Sequence, residues 1–340
     1  MSNLFGNLKR KLMATSVVTL LGVMAMVDTA SAAQNWRFTN LYNRGTAFGD
    51  LYQKLAQDIE KNTNGDIKVQ MLYAGEGVGQ AGVLGAAKSG LVTMAAPFQS
   101  MHAGELPVGV VEIGLPGGTS DTDELYKLFH EDGWGEILKE AYGSQGLVWL
   151  EPYIQTPVYI ITKEPIESVE DFKGLKIRAP GAYGKFLRNL GASPVSLSWS
   201  EIYTSLATGV IDGSIGSNLI DHRDGNHVEV AKYMYKLPVA GAQVLPIVVN
   251  RSAWNRLDES QQEGVYQATV DHAKMQLKMS KKWEKEAVAQ MEAKGLKWSP
   301  EPSKEDIKAW KEAGASLWDE YSKQGKYSKQ LIDILREKAK

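Results

Sequence analysis

In the segment GLKIRAPG, residues 174–181, Arg178 ends the stretch LKIR, and after Ala179 the chain turns at Pro180 and Gly181. Alternation along LKIR sends Leu175 and Ile177 to one face and Lys176 and Arg178 to the other. If this is a strand of an open parallel sheet, Arg178 stands at its carboxyl end, outside which such sheets bind their ligands. A guanidinium there offers five donors in a rigid fork that matches a carboxylate. The same place also suits a solvated charge on the rim of a cleft, and position alone leaves both readings open.

Other groupings offer less chemistry. Gly77, Gly79 and Gly82 have the spacing G-x-G-x-x-G after a strand. The helix that follows is short and contains Gly85, and no acid waits at a strand end for a ribose hydroxyl. The segment therefore reads as a flexible loop at a lobe interface rather than a dinucleotide site. His222, Asp224 and His227 in DHRDGNHVE match no zinc or calcium spacing, so they read as a polar surface loop, and no metal or cofactor is expected. No serine occupies a G-x-S-x-G elbow, and the chain has no cysteine and only five histidines. Nothing in this inventory supports an enzyme.

The elements that must position Arg178 follow from the hydrophobic pattern. Residues 1–32 carry Lys9, Arg10 and Lys11, an apolar run from Leu12 to Val27, and Ala30-Ser31-Ala32. That run is shorter than the roughly 20 residues a spanning helix needs, so the segment reads as a cleaved secretory signal and the mature chain as periplasmic. Losing three cations and one acid, Asp28, takes the formal charge from −2 to −4, which argues against a nucleic-acid partner. Without cysteine, the exported chain holds together through its core alone.

From Trp36 the order is strand (NWRFTNLY), helix (FGDLYQKLAQDIEKNT) and strand (GDIKVQMLYA), a βαβ opening that predicts a parallel sheet. VLGAAKSGLVTMAAP reads as a short helix closed by Gly90 and a buried strand ending at Pro97. PVYIITKE, LKIRAP, SPVSLS and VIDGSIGS read as strands, and YGKFLRNLG and SWSEIYTSLATG as helices, the latter with Ser198 and Glu201 at capping-box spacing. From about Ser252 the chain turns helical, with one long helix over 258–294 and two shorter ones after Pro302. Trp254, Trp283, Trp298, Trp310 and Trp318 read as core anchors of these helices. Two sheet-bearing lobes with a helical tail across them is the simplest arrangement.

The run DFKGLKIRAPGAYGKFLRNLGASPVSLSWSEIYTSLATGVIDG, residues 171–213, resembles the signature of DctP-type solute-binding proteins of TRAP transporters, and the resemblance extends from about Trp36 to Leu257. It implies an α/β fold: a two-lobed periplasmic binding protein of class II type, with a long helix spanning both lobes and a helical C-terminal tail. The implied division is 33–156 with about 247–290 for the first lobe, 157–246 for the second, and 291–340 for helices packing across them. The implied function is capture of a small organic acid and its delivery to ion-gradient-driven membrane subunits, with Arg178 gripping the carboxylate. Gln155, on the crossing strand, is a second polar contact, or a holder of a cation where one accompanies the ligand. Many members of the family carry an acid followed by Asn or Trp after the IDG turn; here Ser217 and Asn218 stand as substitutes. Strand ends suggest Asn40, Asn43, Phe98 and Gln99; Trp199 and Tyr153 are candidate aromatic walls, and Gln243 a further contact. The alternatives are a binding protein for a neutral solute such as a sugar, and a periplasmic hydrolase or isomerase.

Overall fold

In strand Gln34–Thr39 alternation buries Trp36 and Phe38 and exposes Asn35 and Arg37. Thr46 caps the helix Ala47–Asn62, its hydroxyl accepting from the amide of Gly49, and one face of that helix buries Phe48, Leu51, Tyr52, Leu55 and Ile59. Asn64 and Gly65, both at positive φ, turn the chain into strand Ile67–Leu72, which pairs in parallel with the first. The computed structural model describes residues 33–119, 121–240 and 243–338, apart from the side chain of Ser217. The expected leader lies outside the described residues.

Two sheets organise the unit Gln34–Lys340. The first has the order Ile67–Leu72, Gln34–Thr39, Met94–Ala95, Val248–Asn250, Leu147–Trp149. It is mixed rather than parallel, because Val248–Asn250 returns late in the chain and runs antiparallel to both its neighbours. The second has the order Lys297–Trp298, Tyr233–Met234, Val158–Thr162, Gly213–Asn218, Lys176–Arg178, Ser193–Val195. A two-stranded ribbon, Tyr153–Ile154 against Val244–Leu245, carries the chain between the sheets in both directions. The result is a two-lobed α/β fold.

The hydrophobic pattern predicts no element over residues 98–150, yet helices Val108–Glu112, Thr122–His130 and Trp134–Gly143 lie there. Every residue of Val108–Glu112 is buried, which erases the polar side of the period on which a helix reading depends.

The tail follows the expectation closely. A capping box of Asp258 and Gln261 starts the helix Glu259–Ala293. This helix packs on Ala47–Asn62 of the first lobe and on Leu219–Asp224 of the second. Between them, the side-chain amide of Gln276 donates to the carbonyl of Ile154 in the ribbon at 2.9 Å. Trp310, in helix Lys304–Ser322, fills a pocket of Phe172, Phe186 and Tyr235 with ring centroids 4.7–5.7 Å apart, and Trp318 Nε1 donates to the carbonyl of Pro116. Helix Lys326–Lys338 packs on Val108–Glu112 and Trp134–Gly143. Among the described residues no helix is long and apolar enough to cross a membrane.

Candidate functional site

Strand Lys176–Arg178 is held between Ser193–Val195 and Gly213–Asn218, both parallel to it, so Arg178 lies opposite Val195 and Ser214. Lys176 is exposed, but Arg178 is only 3% exposed, which rules out the solvated rim. Its Nε donates to the carbonyl of Leu197 at 3.0 Å and its Nη1 to that of Ile215 at 3.1 Å. Both acceptors are neutral, and among the described residues no carboxylate forms an ion pair with it. Burial pulls its pKa down to about 10, still far above neutrality, so the group stays a cation whose hydration has been removed.

One residue further on, past Ala179, Pro180 and Gly181 make the close turn. Gly181 has φ +52°, and a Cβ there would stand 2.9 Å from that of Ser100. Only glycine combines this backbone with this approach.

Arg178 opens on a cavity with about 410 Å³ of empty space, including its solvent-open part, lined by Leu41, Tyr42, Gln80, Phe98, Trp199, Asp221 and Gln243 as well. Gln243 is 2% exposed. Its backbone carbonyl accepts from Gln155 N at 2.8 Å, while its side-chain amide has no hydrogen-bond partner among the described residues. A wider groove, where Asn43 and the loop 74–82 face residues 196–201, shares Gln80 and Trp199 with the cavity.

Behind the cavity runs a buried relay. Gln155 Nε2 donates to the Tyr42 hydroxyl at 2.6 Å, and its Oε1 accepts from Asn218 Nδ2 at 2.9 Å. Asn218 Oδ1 in turn accepts the amide of Asp221 at 3.0 Å, capping helix Leu219–Asp224. Both ends of each amide are thereby occupied, so Gln155 and Asn218 position Tyr42 and Asp221.

Of the residues expected from sequence, the structure brings Arg178, Phe98, Trp199 and Gln243 to one cavity and sets Gln155 and Asn218 behind it. Asn43 lies on the adjoining groove. Asn40 is engaged in its own turn, accepting from Tyr42 N and donating to the carbonyl of Leu72. Gln99 donates to the carbonyl of Val244. Tyr153 lies in the core, stacked on Tyr52 with centroids 4.8 Å apart. The side chain of Ser217 lies outside the described residues. Leu41, Tyr42, Gln80 and Asp221 were missed. Asp221 had a signal, since Asn218 three residues earlier is a capping residue that fixes where a helix starts.

The polar surface loop expected at His222 and His227 is instead buried. The two rings meet Nδ1 to Nδ1 at 2.9 Å, and His227 packs against Trp199 at 5.0 Å. Burial, then the Arg178 charge among the smaller causes, holds both below the usual histidine range, His222 at about 4. Both are neutral at pH 7, and the pair buttresses the cavity wall. Among the described residues no group of three or more His, Asp or Glu is placed to hold a metal.

Two lobes joined by a crossing ribbon, with a buried cation facing a small cavity, define the architecture of a periplasmic binding protein. The chain belongs to the bacterial extracellular solute-binding proteins, family 7 (DctP), whose profile matches residues 39–324. These are receptors of TRAP transport systems that bind small organic ligands and work with membrane permease subunits; they are not enzymes. A monocarboxylate 2-oxoacid-binding periplasmic protein of Nostoc sp. is 27% identical, over 88% of this chain and 82% of its own. The C4-dicarboxylate-binding periplasmic protein of Rhodobacter capsulatus is 25% identical over 90% and 91%. In fold, the chain is similar to an extracytoplasmic solute receptor of Bordetella pertussis that binds pyroglutamic acid, with a TM-score of 0.81 at 21% identity, over 89% of this chain and all of the other.

Proposed function

We propose that this chain is the periplasmic substrate-binding subunit of a TRAP-type, ion-gradient-driven uptake system, exported by the leader at residues 1–32. It captures a small organic acid through an Arg178–carboxylate pair and delivers it to the membrane permease. The observation that carries the reading is the buried Arg178 guanidinium, held by two carbonyls beside a cavity. A buried cation without an anionic partner is costly, and a ligand carboxylate supplies one. The Nostoc, Rhodobacter and Bordetella relatives, each described by an acid ligand, point to the same class.

The lobes, 33–156 with about 247–290 and 157–246, close about the ribbon by hinge motion. The ligand joins Arg178 and Gln243 of the second lobe to the Tyr42 and Phe98 walls of the first and so favours the closed arrangement. The helices of 291–340 brace both lobes. Tyr42, Phe98 and Trp199 also offer the apolar surface that a neutral sugar packs on.

A thermal-shift screen of protein stripped by unfolding and refolding separates the two. At about 100 times its dissociation constant a ligand adds roughly 2.7 kcal/mol of stability. Shifts are expected with organic acids, and shifts with neutral sugars alone would overturn the reading.

A further inference from the structure

We infer that the outer face of the long helix Glu259–Ala293 is a docking surface for anionic phospholipid, on which the receptor rests against a membrane with its cavity turned away. This goes beyond the uptake reading and does not depend on which ligand the cavity takes. Residues 272–285 carry five lysines, Lys274, Lys278, Lys281, Lys282 and Lys285, and one acid, Glu284, in a chain whose formal charge past the leader is −4. At 3.6 residues per turn the five lysines fall within an arc of about 100° and form a ridge about 16 Å long. All five are exposed.

Two of these lysines have acidic neighbours. Lys281 Nζ stands 2.9 Å from a carboxylate oxygen of Asp123, and Lys282 Nζ 3.7 Å from one of Glu286. Pairs so exposed contribute little, and they yield to another anion. On the same face Asp271 lies one turn before the ridge and Glu292 two turns after it, accepting from Gln267 and Trp298. Among the described residues Lys274, Lys278 and Lys285 have no carboxylate partner.

The ridge is the convex side of a single helix, and its cations are flexible point charges without the planar fork of arginine. Such charges suit a fluid sheet of headgroups, which presents phosphates wherever the lysines reach, and each lysine near an anionic bilayer adds to the attraction. Lys281 and Lys285 also edge a groove walled by Tyr159 and Trp298, rings of the kind enriched at headgroup level. The opposite face of the helix buries Val265, Thr269, His272 and Gln276. Gln276 bonds the ribbon, and beyond the ribbon Gln155 bonds Tyr42, which lines the cavity. The ridge therefore lies on the side away from the cavity, and docking there leaves the cavity free to fill.

Flotation of the protein without its leader tests this, using vesicles of an equal mixture of phosphatidylglycerol and phosphatidylcholine against phosphatidylcholine alone. At low salt the mixed vesicles should bind at least about a hundredfold more tightly than the neutral ones. Salt at about 1 M, which shortens the screening length to about 3 Å, should abolish the difference. Joint replacement by Lys274→Glu, Lys278→Glu and Lys285→Glu should remove the binding. The same change of charge at exposed lysines elsewhere, Lys173→Glu, Lys311→Glu and Lys323→Glu, should leave most of it. No preference for the mixed vesicles, or equal loss in the two triple variants, would overturn the proposal. Lysine acetylation of the unaltered protein, read by mass spectrometry, tests the orientation without any variant. On mixed vesicles Lys274, Lys278 and Lys285 should be shielded and Lys173, Lys311 and Lys323 should not; shielding of the second set instead, or of neither, would overturn it.

Discussion

Arg178 in the second lobe and Glu112 in the first are both buried ionisable groups, and the fold treats them in opposite ways. Glu112, fully buried, accepts from the Tyr142 hydroxyl at 2.5 Å and from Trp149 Nε1 at 2.7 Å. Burial nonetheless pushes its pKa up to about 7, so much of its charge can be discharged by taking a proton. It is fully shielded from solvent, with its two carboxylate oxygens each engaged by one of those donors. Arg178 has no such escape, because its pKa remains near 10 and a cavity stands in front of it. A buried group whose needs are met within the protein serves the fold, whereas a buried charge left facing space serves a ligand.

Breaking the second half of that contrast should have the largest effect. Arg178→Met removes at least two charge-assisted hydrogen bonds to the ligand, each contributing roughly 1.5–3 kcal/mol. Acid affinity should fall by at least about a hundredfold in a titration. The ligand-free variant should melt no lower than the unaltered protein, since an unpaired buried charge has been replaced by an apolar chain.

Glu112→Gln sharpens the other half. Raising a carboxyl above its unfolded value means that the folded state holds the proton longer. Stability from this group is therefore full below about pH 4.5 and is lost as pH rises to about 7, by at most about 3 kcal/mol. The variant should match the unaltered protein at pH 4, exceed it by about 1–3 kcal/mol at pH 8 in denaturant titrations, and bind the ligand equally well.

Smaller effects are expected where the lobes touch. Gly181→Ala forces a side chain into positive φ and against Ser100, costing roughly 1–2 kcal/mol of stability. The Asp224 carboxylate accepts the amide of Ala47 at 3.2 Å, joining the second-lobe helix Leu219–Asp224 to the first turn of Ala47–Asn62. If that bond belongs to the closed arrangement, Asp224→Ala should weaken ligand binding by about fivefold, the equivalent of a typical cap of ~1 kcal/mol, while the melting temperature moves little.

What the sequence disclosed follows the range of the forces involved. Local signals held: the Ser198 and Glu201 capping box forms as spaced, Gly90 closes its helix in the left-handed conformation, and the long helix runs within a residue of its expected ends. Arg178 was legible because strand, charge and Pro-Gly turn are contiguous. What depends on contacts distant in sequence was not legible. The antiparallel insertion of Val248–Asn250 pairs it with Leu147–Trp149, a hundred residues earlier. The burial of His222 and His227 comes from Trp199 and from each other, and a polar sequence gives no sign of it. Tyr153 shows the converse: on a strand aimed at the cavity by position, it is drawn instead into the stack on Tyr52.

The most direct test of the account is a calorimetric titration of Arg178→Met with whichever acid the unaltered protein binds most tightly. Affinity reduced by at least about a hundredfold in a variant that melts as high as the unaltered protein is the result expected of a buried cation kept for its ligand. Unchanged affinity would contradict it and make Arg178, like Glu112, a part of the fold.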